Sequence, residues 1–157
     1  MATILRRVRR RMAATSATTL PAYQAYLHAH PEESQRLVNS LLINVTEFFR
    51  DPALFEHLRQ EVLPSLFAQA RGQGTELRLW SAGCATGEEA YSLAILIAET
   101  LGNELEQITV RLFATDVDSE AIAFARRGIY PASTLAPLAP ELIKRYFVPV
   151  DGAYEVS

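Results

Sequence analysis

The chain has 157 residues and a formal net charge of −3, with 49 % hydrophobic and 21 % charged residues. This length allows one ordinary domain, or a small domain with part of another, and the composition is typical of a globular protein. Its longest apolar run, residues 92–98, falls far short of the ~20 residues that span a bilayer, so we predict a cytoplasmic chain without membrane insertion. A single cysteine, Cys84, excludes an intramolecular disulfide, and three histidines without ligand spacing predict no metal site.

The first dozen residues are strongly basic and contain Arg6, Arg7, Arg9, Arg10 and Arg11. A transit peptide is disfavoured because the segment is poor in serine and continues into ordinary helices. Nucleic-acid binding is disfavoured because no aromatic residues or known motif accompany the arginines. Two interpretations stay open: a solvated helix face opposite Leu5, Val8 and Met12, or a docking surface for an acidic partner.

Helical signals fill the first fifty residues. Pro21 and Pro31 suit first helical positions, and Glu32 and Glu33 favour the start of the second of these helices. An apolar stripe then follows at helical spacing: Leu37, Val38, Leu41, Leu42 and Val45. We therefore predict a helical subdomain without strands.

From residue 51 the pattern changes to alternating helices and strands. Asp51-Pro52 starts a helix that runs to about Arg71, where residues 72–74 break it. A strand is predicted at 76–81, followed by a glycine loop at 82–87 and a helix at 88–101. A second strand at 110–115 ends at an acidic residue, 116, and precedes a helix at 119–127. This order is the βαβ pattern of a parallel nucleotide-binding sheet. A helix at 140–147 precedes a predicted hairpin at 148–156, turning at Asp151-Gly152.

The glycine loop and the acid after the second strand are candidate ligand contacts. Gly83 and Gly87 lie where a strand meets a helix, where glycine lets the backbone approach a ligand or simply completes a turn. Their spacing does not match G-x-G-x-x-G, which argues against a pyrophosphate-bearing dinucleotide. Asp116 can accept ribose hydroxyls, whereas Asp118 better fits the alternative role of a helix cap. The combination favours an adenosine-type cofactor.

Two carboxylates, Glu88 and Glu89, open the helix after this loop. They compensate the helix dipole, or one of them points into the cofactor cleft. A carboxylate there would attract a cationic ammonium or sulfonium group and repel a phosphate. The pair therefore favours S-adenosylmethionine over a phosphorylated nucleotide.

Residues 81–92, SAGCATGEEAYS, resemble the cofactor loop of CheR-type methyltransferases, which methylate glutamates of chemotaxis receptors. Residues 42–51 (LINVTEFFRD), 113–118 (FATDVD) and 125–130 (ARRGIY) resemble the same family in the same order. The resemblance implies an α/β fold, with a receptor-facing N-terminal helical subdomain at 1–46 and a Rossmann-like methyltransferase domain at 47–157. It also implies that the hairpin at about 148–157 begins a small β-subdomain.

The resemblance also implies particular site residues. Asn44, Thr46 and Arg50 are similar to family residues that touch the cofactor, and Arg50 alone suggests a partner for its carboxylate. Glu89 and Asp116 match the positions that hold its amino and ribose groups. The resemblance implies S-adenosylmethionine as the cofactor and S-adenosylhomocysteine as the product. It also implies that the partners are cytoplasmic helices of chemoreceptors, which the five N-terminal arginines would face. No residue is identified as a catalytic acid, base or nucleophile.

The family sheet has further strands after the hairpin, so the resemblance implies that this chain is C-terminally incomplete. We then expect an exposed apolar sheet edge, marginal stability and impaired turnover. Protein-glutamate O-methyltransferase is the leading function, and a non-catalytic cofactor- or receptor-binding module is the alternative. A dinucleotide oxidoreductase is disfavoured by the glycine spacing and the two glutamates.

Overall fold

The computed structural model describes residues 2–42, 45–105 and 107–157, and the chain divides into two compact units at residues 1–43 and 44–157. The first unit contains helices α1 (Ala2–Ala14), α2 (Leu20–Ala29) and α3 (Pro31–Leu41), and no strand occurs in its described part. Pro21 and Pro31 lie in the first turns of α2 and α3, as predicted, because proline needs no backbone donor there.

An ion pair between partly exposed Arg11 and buried Glu33 joins these helices. Both Glu33 oxygens accept hydrogen bonds from Arg11, at 2.9 and 2.5 Å, and Oε1 also accepts one from the Tyr23 hydroxyl at 2.9 Å. Arg7 donates to the carbonyls of Ser40 and Leu42, at 2.6 and 2.8 Å, at the end of α3. Arg7 and Arg11 therefore stabilise the helical unit from within.

The predicted apolar stripe is wrong at its C-terminal end. Helix α3 ends at Leu41 because Leu42 adopts an extended backbone, with φ −65° and ψ 138°. Val45 consequently lies beyond the helix and is 61 % exposed. Val38, inside the helix, is also half-exposed, as is Leu5 of α1.

After an irregular segment at residues 45–50, the second unit continues with a helix that contains a π-helical turn. Helix α4 (Pro52–His57) starts at the cap residue Asp51, and residues 58–62 form the π turn before α5 (Leu63–Gln73). Pro64 cannot donate a backbone hydrogen bond, and the wider turn precedes it directly. The helix ends at Gly74, which has a left-handed φ of 60°.

Strands β1 (Leu77–Ala82) and β2 (Val110–Thr115) form a parallel pair, and α6 (Glu88–Leu101) connects them. Helix α7 (Ser119–Arg127) follows β2. A core of Phe55, Leu63, Phe67, Leu96 and Ile97 packs with Leu77 of β1. The prediction of a parallel α/β sheet is confirmed.

The predicted hairpin is part of a three-stranded antiparallel sheet. Strands β3 (Ile129–Pro131), β4 (Phe147–Val150) and β5 (Ala153–Val156) lie in the order β3-β5-β4, and α8 (Pro140–Tyr146) precedes β4. The turn at Asp151 and Gly152 has positive φ at both residues, 47° and 80°, as a type I′ turn requires. Strand β3 was not predicted.

Candidate functional site

The candidate site lies where the two parallel strands end. Ala82 of β1 is paired with Thr115 of β2, so both carboxyl ends reach the same edge. The carbonyl of Thr115 accepts hydrogen bonds from the amides of Gly83 and Cys84, at 2.8 and 3.0 Å. The glycine loop is thereby held against the end of β2.

The two loop glycines have different surroundings. At Gly83, which has φ 80°, an added Cβ would point into open space, so the backbone is accessible to a ligand. At Gly87, with φ 97°, a Cβ would come within 2.8 Å of the Ala125 Cβ and 2.9 Å of the Tyr130 hydroxyl oxygen. Gly83 thus fits close approach of a ligand, whereas Gly87 is required for close packing.

Asp116 lies at this edge and orders the loop. One carboxylate oxygen accepts from the Ala85 amide and the other from the Asp118 amide, both at 2.8 Å. Ala85 itself has a left-handed φ of 46°, so the Asp116 bond supports a backbone conformation that alanine rarely adopts. Each oxygen keeps a further lone pair for a ligand hydroxyl.

Asp118 has the capping role that the sequence predicted for it. Its Oδ1 accepts from the amides of Glu120 and Ala121, at 2.9 and 3.2 Å, at the start of α7. Asp118 is buried, whereas Asp116 is only half-buried. Asp116 is therefore the more accessible of the two carboxylates.

The two glutamates that open α6 also differ in position. Glu88 is buried and accepts a hydrogen bond from the Thr86 hydroxyl at 2.6 Å. Glu89 is exposed and accepts one from the hydroxyl of Ser81, near the end of β1, at 2.7 Å. Glu89 is therefore the carboxylate available to a cationic group at the strand ends.

Thr46 and Arg50 belong to an irregular segment, residues 45–50, whereas Asn44 lies outside the described residues. Thr46 is half-buried, and Arg50 is exposed and donates to the carbonyl of Val45 at 2.6 Å. Arginine has five N–H donors, so Arg50 keeps others for a ligand.

Ser92 fastens this segment to α6. Its fully buried hydroxyl donates to the Glu88 carbonyl at 2.6 Å and accepts from the Phe49 amide at 2.9 Å. Phe49 has a left-handed φ of 51°, and the neighbouring Phe48 is fully buried beside Tyr130 and Phe147. The structure thus holds the segment against the first turn of the helix that carries Glu89. A serine inside an apolar helix gives no local signal, so the contact between Ser92 and this segment was not predicted.

Cys84 is enclosed in the loop and is 1 % exposed. Burial, followed by the negative charge of Asp116, raises the pKa of its thiol above the ordinary value. The thiol therefore stays protonated near neutral pH, a poor state for a nucleophile. Across the described ranges, no group of three or more His, Cys, Asp or Glu side chains is placed to hold a metal ion, and no helix is long and apolar enough to cross a membrane.

Comparisons with known proteins assign the chain to a family. Residues 44–157 match "CheR methyltransferase, SAM binding domain", and residues 1–42 match "CheR methyltransferase, all-alpha domain". The chain therefore belongs to the CheR methyltransferase family. The methyl donor of this family is S-adenosylmethionine.

Among curated relatives, the chemotaxis protein methyltransferase of Escherichia coli (strain K12) is 37 % identical over 154 residues, which cover 97 % of this chain and 50 % of that protein. The chemotaxis protein methyltransferase of Salmonella typhimurium is 36 % identical, with 97 % and 50 % covered. An "Uncharacterized 104.1 kDa protein in hypE 3'region" of Rhodobacter capsulatus is 38 % identical, with 98 % of this chain and 16 % of that protein covered. The chain spans half the length, or less, of these relatives.

The described residues fit S-adenosylmethionine. Gly83 leaves open space at the strand end, Asp116 keeps acceptor capacity, and Glu89 offers an exposed negative charge. This donor set suits a ribose and a cationic amino group and lacks the arrangement expected for a pyrophosphate.

Proposed function

We propose that this chain forms the cofactor-binding part of a protein-glutamate O-methyltransferase, which transfers the methyl group of S-adenosylmethionine to glutamates of chemotaxis receptors in the cytoplasm. The proposal rests on one arrangement: the open backbone at Gly83 with the carboxylates of Glu89 and Asp116 at one edge of a parallel strand pair. In this proposal residues 1–46 face the receptor and residues 47–157 bind the cofactor.

Each site residue has a proposed part in binding. Asp116 accepts the ribose hydroxyls, Glu89 pairs with the amino group, and Gly83 lets the backbone pass close to the ligand. Arg50 pairs with the ligand carboxylate, and Thr46 lies four residues from it on the same segment. Asn44 is assigned to the cofactor by the family resemblance alone.

The reaction asks little acid-base chemistry of the protein. S-adenosylmethionine supplies a methyl group activated by its sulfonium, and a glutamate with a pKa of about 4.3 is already ionised at neutral pH. The protein therefore contributes alignment and exclusion of water rather than a general base.

Three of the five N-terminal arginines suit receptor docking. Arg6, Arg9 and Arg10 are exposed, whereas Arg7 and Arg11 are engaged with α3. We therefore narrow the proposed docking surface for acidic receptor helices to those three side chains. Because the contacts would be exposed, added salt should weaken docking.

The test is calorimetric titration of the chain with S-adenosylmethionine, S-adenosylhomocysteine and 5′-methylthioadenosine, which lacks the amino-acid group. Glu89→Gln keeps an acceptor for Ser81 but removes the charge. It should weaken S-adenosylhomocysteine binding by about tenfold, as expected for loss of one charged hydrogen bond, and leave 5′-methylthioadenosine unaffected. Glu61→Gln, an exposed glutamate of the π turn, is the matched control for charge alone.

A folded chain that bound neither S-adenosylmethionine nor S-adenosylhomocysteine would contradict the proposal. If Glu89→Gln weakened the binding of S-adenosylhomocysteine and of 5′-methylthioadenosine equally, only the proposed pairing of Glu89 with the amino group would be refuted. Methyl transfer to a receptor fragment then separates an enzyme from a binding module without turnover.

A further inference from the structure

Tyr130 is a fully buried tyrosine in β3, outside the set of cofactor contacts proposed above. Its hydroxyl donates to the carbonyl of Thr86, in the glycine loop, at 2.7 Å. The two residues are 44 positions apart in the chain. A residue of the small antiparallel sheet therefore holds the backbone of the loop at the end of β1.

The contact leaves no room beside it. A Cβ on Gly87 would come within 2.9 Å of the Tyr130 hydroxyl oxygen, so the absence of a side chain at Gly87 permits the hydrogen bond to its neighbour Thr86. The carbonyl of Thr86 and the amide of Gly87 belong to one peptide unit. Fixing Thr86 therefore orients the amide of Gly87, which donates to Cys84 at 2.8 Å and closes the loop turn.

The ring of Tyr130 also contacts the other candidate segment. It packs edge-on against Phe48, with centroids 5.2 Å apart, and against Phe124 at 5.6 Å. Phe48 lies in the segment that carries Thr46 and Arg50. One buried side chain thus touches both the loop and the irregular segment.

The hydroxyl is a permanent donor. Burial is the main cause that raises its pKa above the ordinary value, and the charge of Glu88 adds to the effect. Tyr130 therefore stays protonated near neutral pH, and its hydroxyl remains a donor there.

We propose that Tyr130 is a positioning residue for the cofactor loop, holding residues 83–87 through the Thr86 carbonyl in the conformation that binds the adenosine cofactor. The effect of Tyr130 on cofactor binding rests on the proposed function. The ordering of the loop by Tyr130 does not, because it applies to the ligand-free protein as well. It also links the small sheet to the cofactor site, because β3 carries the anchoring hydroxyl.

Tyr91 provides a matched control. It is a tyrosine of α6 whose hydroxyl also donates to a distant backbone carbonyl, that of Ala125 at 2.9 Å. Ala125 belongs to α7. The Tyr91 ring also packs edge-on against Tyr130, with centroids 6.0 Å apart, and phenylalanine keeps that ring contact. Tyr91→Phe and Tyr130→Phe therefore each remove one hydroxyl and its hydrogen bond to a backbone carbonyl, but only the bond of Tyr130 ends on the loop.

The experiment compares hydrogen exchange and cofactor affinity in both variants. Exchange is measured on the ligand-free protein at the amides of residues 83–87, where Gly83, Cys84, Ala85 and Gly87 all donate hydrogen bonds. We expect Tyr130→Phe to accelerate exchange there by about tenfold and to weaken S-adenosylhomocysteine binding by about fivefold, the order expected for one lost buried hydrogen bond. Tyr91→Phe should change neither the loop exchange nor the affinity. The two variants should have similar melting temperatures.

Unchanged exchange at the loop in Tyr130→Phe would overturn the inference, as would the same acceleration in Tyr91→Phe. Faster exchange with unaltered affinity would overturn its cofactor part. A wild-type chain that bound no S-adenosylhomocysteine would instead contradict the proposed function, and the exchange comparison would still decide whether Tyr130 orders the loop.

Discussion

A single carboxylate, Glu33, joins the three helices of the first unit. It is 1 % exposed and accepts hydrogen bonds from Arg11 and Tyr23. A buried carboxylate that lost its partner would keep the full cost of its desolvation. The N-terminal arginines therefore differ in their contacts: Arg11 binds a buried carboxylate, whereas Arg10 is exposed to solvent.

Replacing Arg11 should test this division. Arg11→Met should lower the free energy of unfolding by about 2 kcal/mol, because it removes charged hydrogen bonds and leaves Glu33 buried. Arg10→Met, one position earlier on an exposed side chain, is the control and should change stability little. Chemical denaturation measures both, and equal losses would contradict the assigned role of Arg11.

The same carboxylate predicts a pH dependence. Hydrogen bonds from Arg11 are the main cause that holds the pKa of Glu33 below its ordinary value, and Tyr23 contributes. A depressed folded-state pKa stabilises the fold above the unfolded value, and this stabilisation is lost as the pH falls through the folded value. Wild type should therefore lose more stability than Glu33→Gln between about pH 6 and about pH 3. Parallel losses in the two proteins would show that Glu33 does not contribute.

Local signals at single residues were predictable, and partners distant in the chain were not. Asp118 could be identified as a cap because its partners follow within three residues. Glu33 was interpreted only as a first-turn acid, since Arg11 lies 22 residues away. The contacts of Tyr130 and Ser92 were not predicted for the same reason.

The glycine loop contains one glycine that borders open space, Gly83, and one that is closely packed, Gly87. Gly87→Ala should lower the melting temperature more than Gly83→Ala, because its Cβ would meet Ala125 and Tyr130 while that of Gly83 meets open space. Both variants pay the cost of a left-handed alanine, about 1 kcal/mol, so Gly83→Ala isolates that cost. Scanning calorimetry of the pair decides the matter, and equal shifts would contradict the packing role.

Long elements with clear boundaries were predicted well. Helix α6 and strand β2 begin and end at the predicted residues, because Gly87, Gly102 and Asp116 mark their limits. Strand β3 was missed because three residues cannot show alternation, and its pairing with β5 depends on residues more than twenty positions later. The π turn before Pro64 has no periodic signal of its own.

At the scale of the whole molecule, one face of the β1–β2 pair presents aromatic side chains to solvent. Trp80 is 69 % exposed and Phe113 42 %, and the two are paired in register. They line an open depression of about 470 Å³ together with Arg78, Leu79 and Thr115. Such a face favours association with other apolar surfaces.

We expect the chain to self-associate through this face. Phe113→Thr keeps a residue suited to a strand but removes the ring, so it should reduce concentration-dependent association and binding of an apolar dye. Val148→Thr, at a half-exposed position of β4, is the control. Sedimentation measurements over a range of concentrations test this, and a monomeric wild type with a sharp melt would refute it.

The order of strands in the small sheet has a consequence for synthesis. Strand β5 lies between β3 and β4, yet it is the last of the three to leave the ribosome. Until residues 153–156 have emerged, β3 has no strand to pair with, although its residues are made more than twenty positions earlier. Because Tyr130 is paired with Tyr154, the strand that carries the anchor of the glycine loop gains its backbone pairing only when residues 153–156 have been made. The residues of the cofactor edge, at the ends of β1 and β2, are therefore synthesised before the strand that pairs with β3.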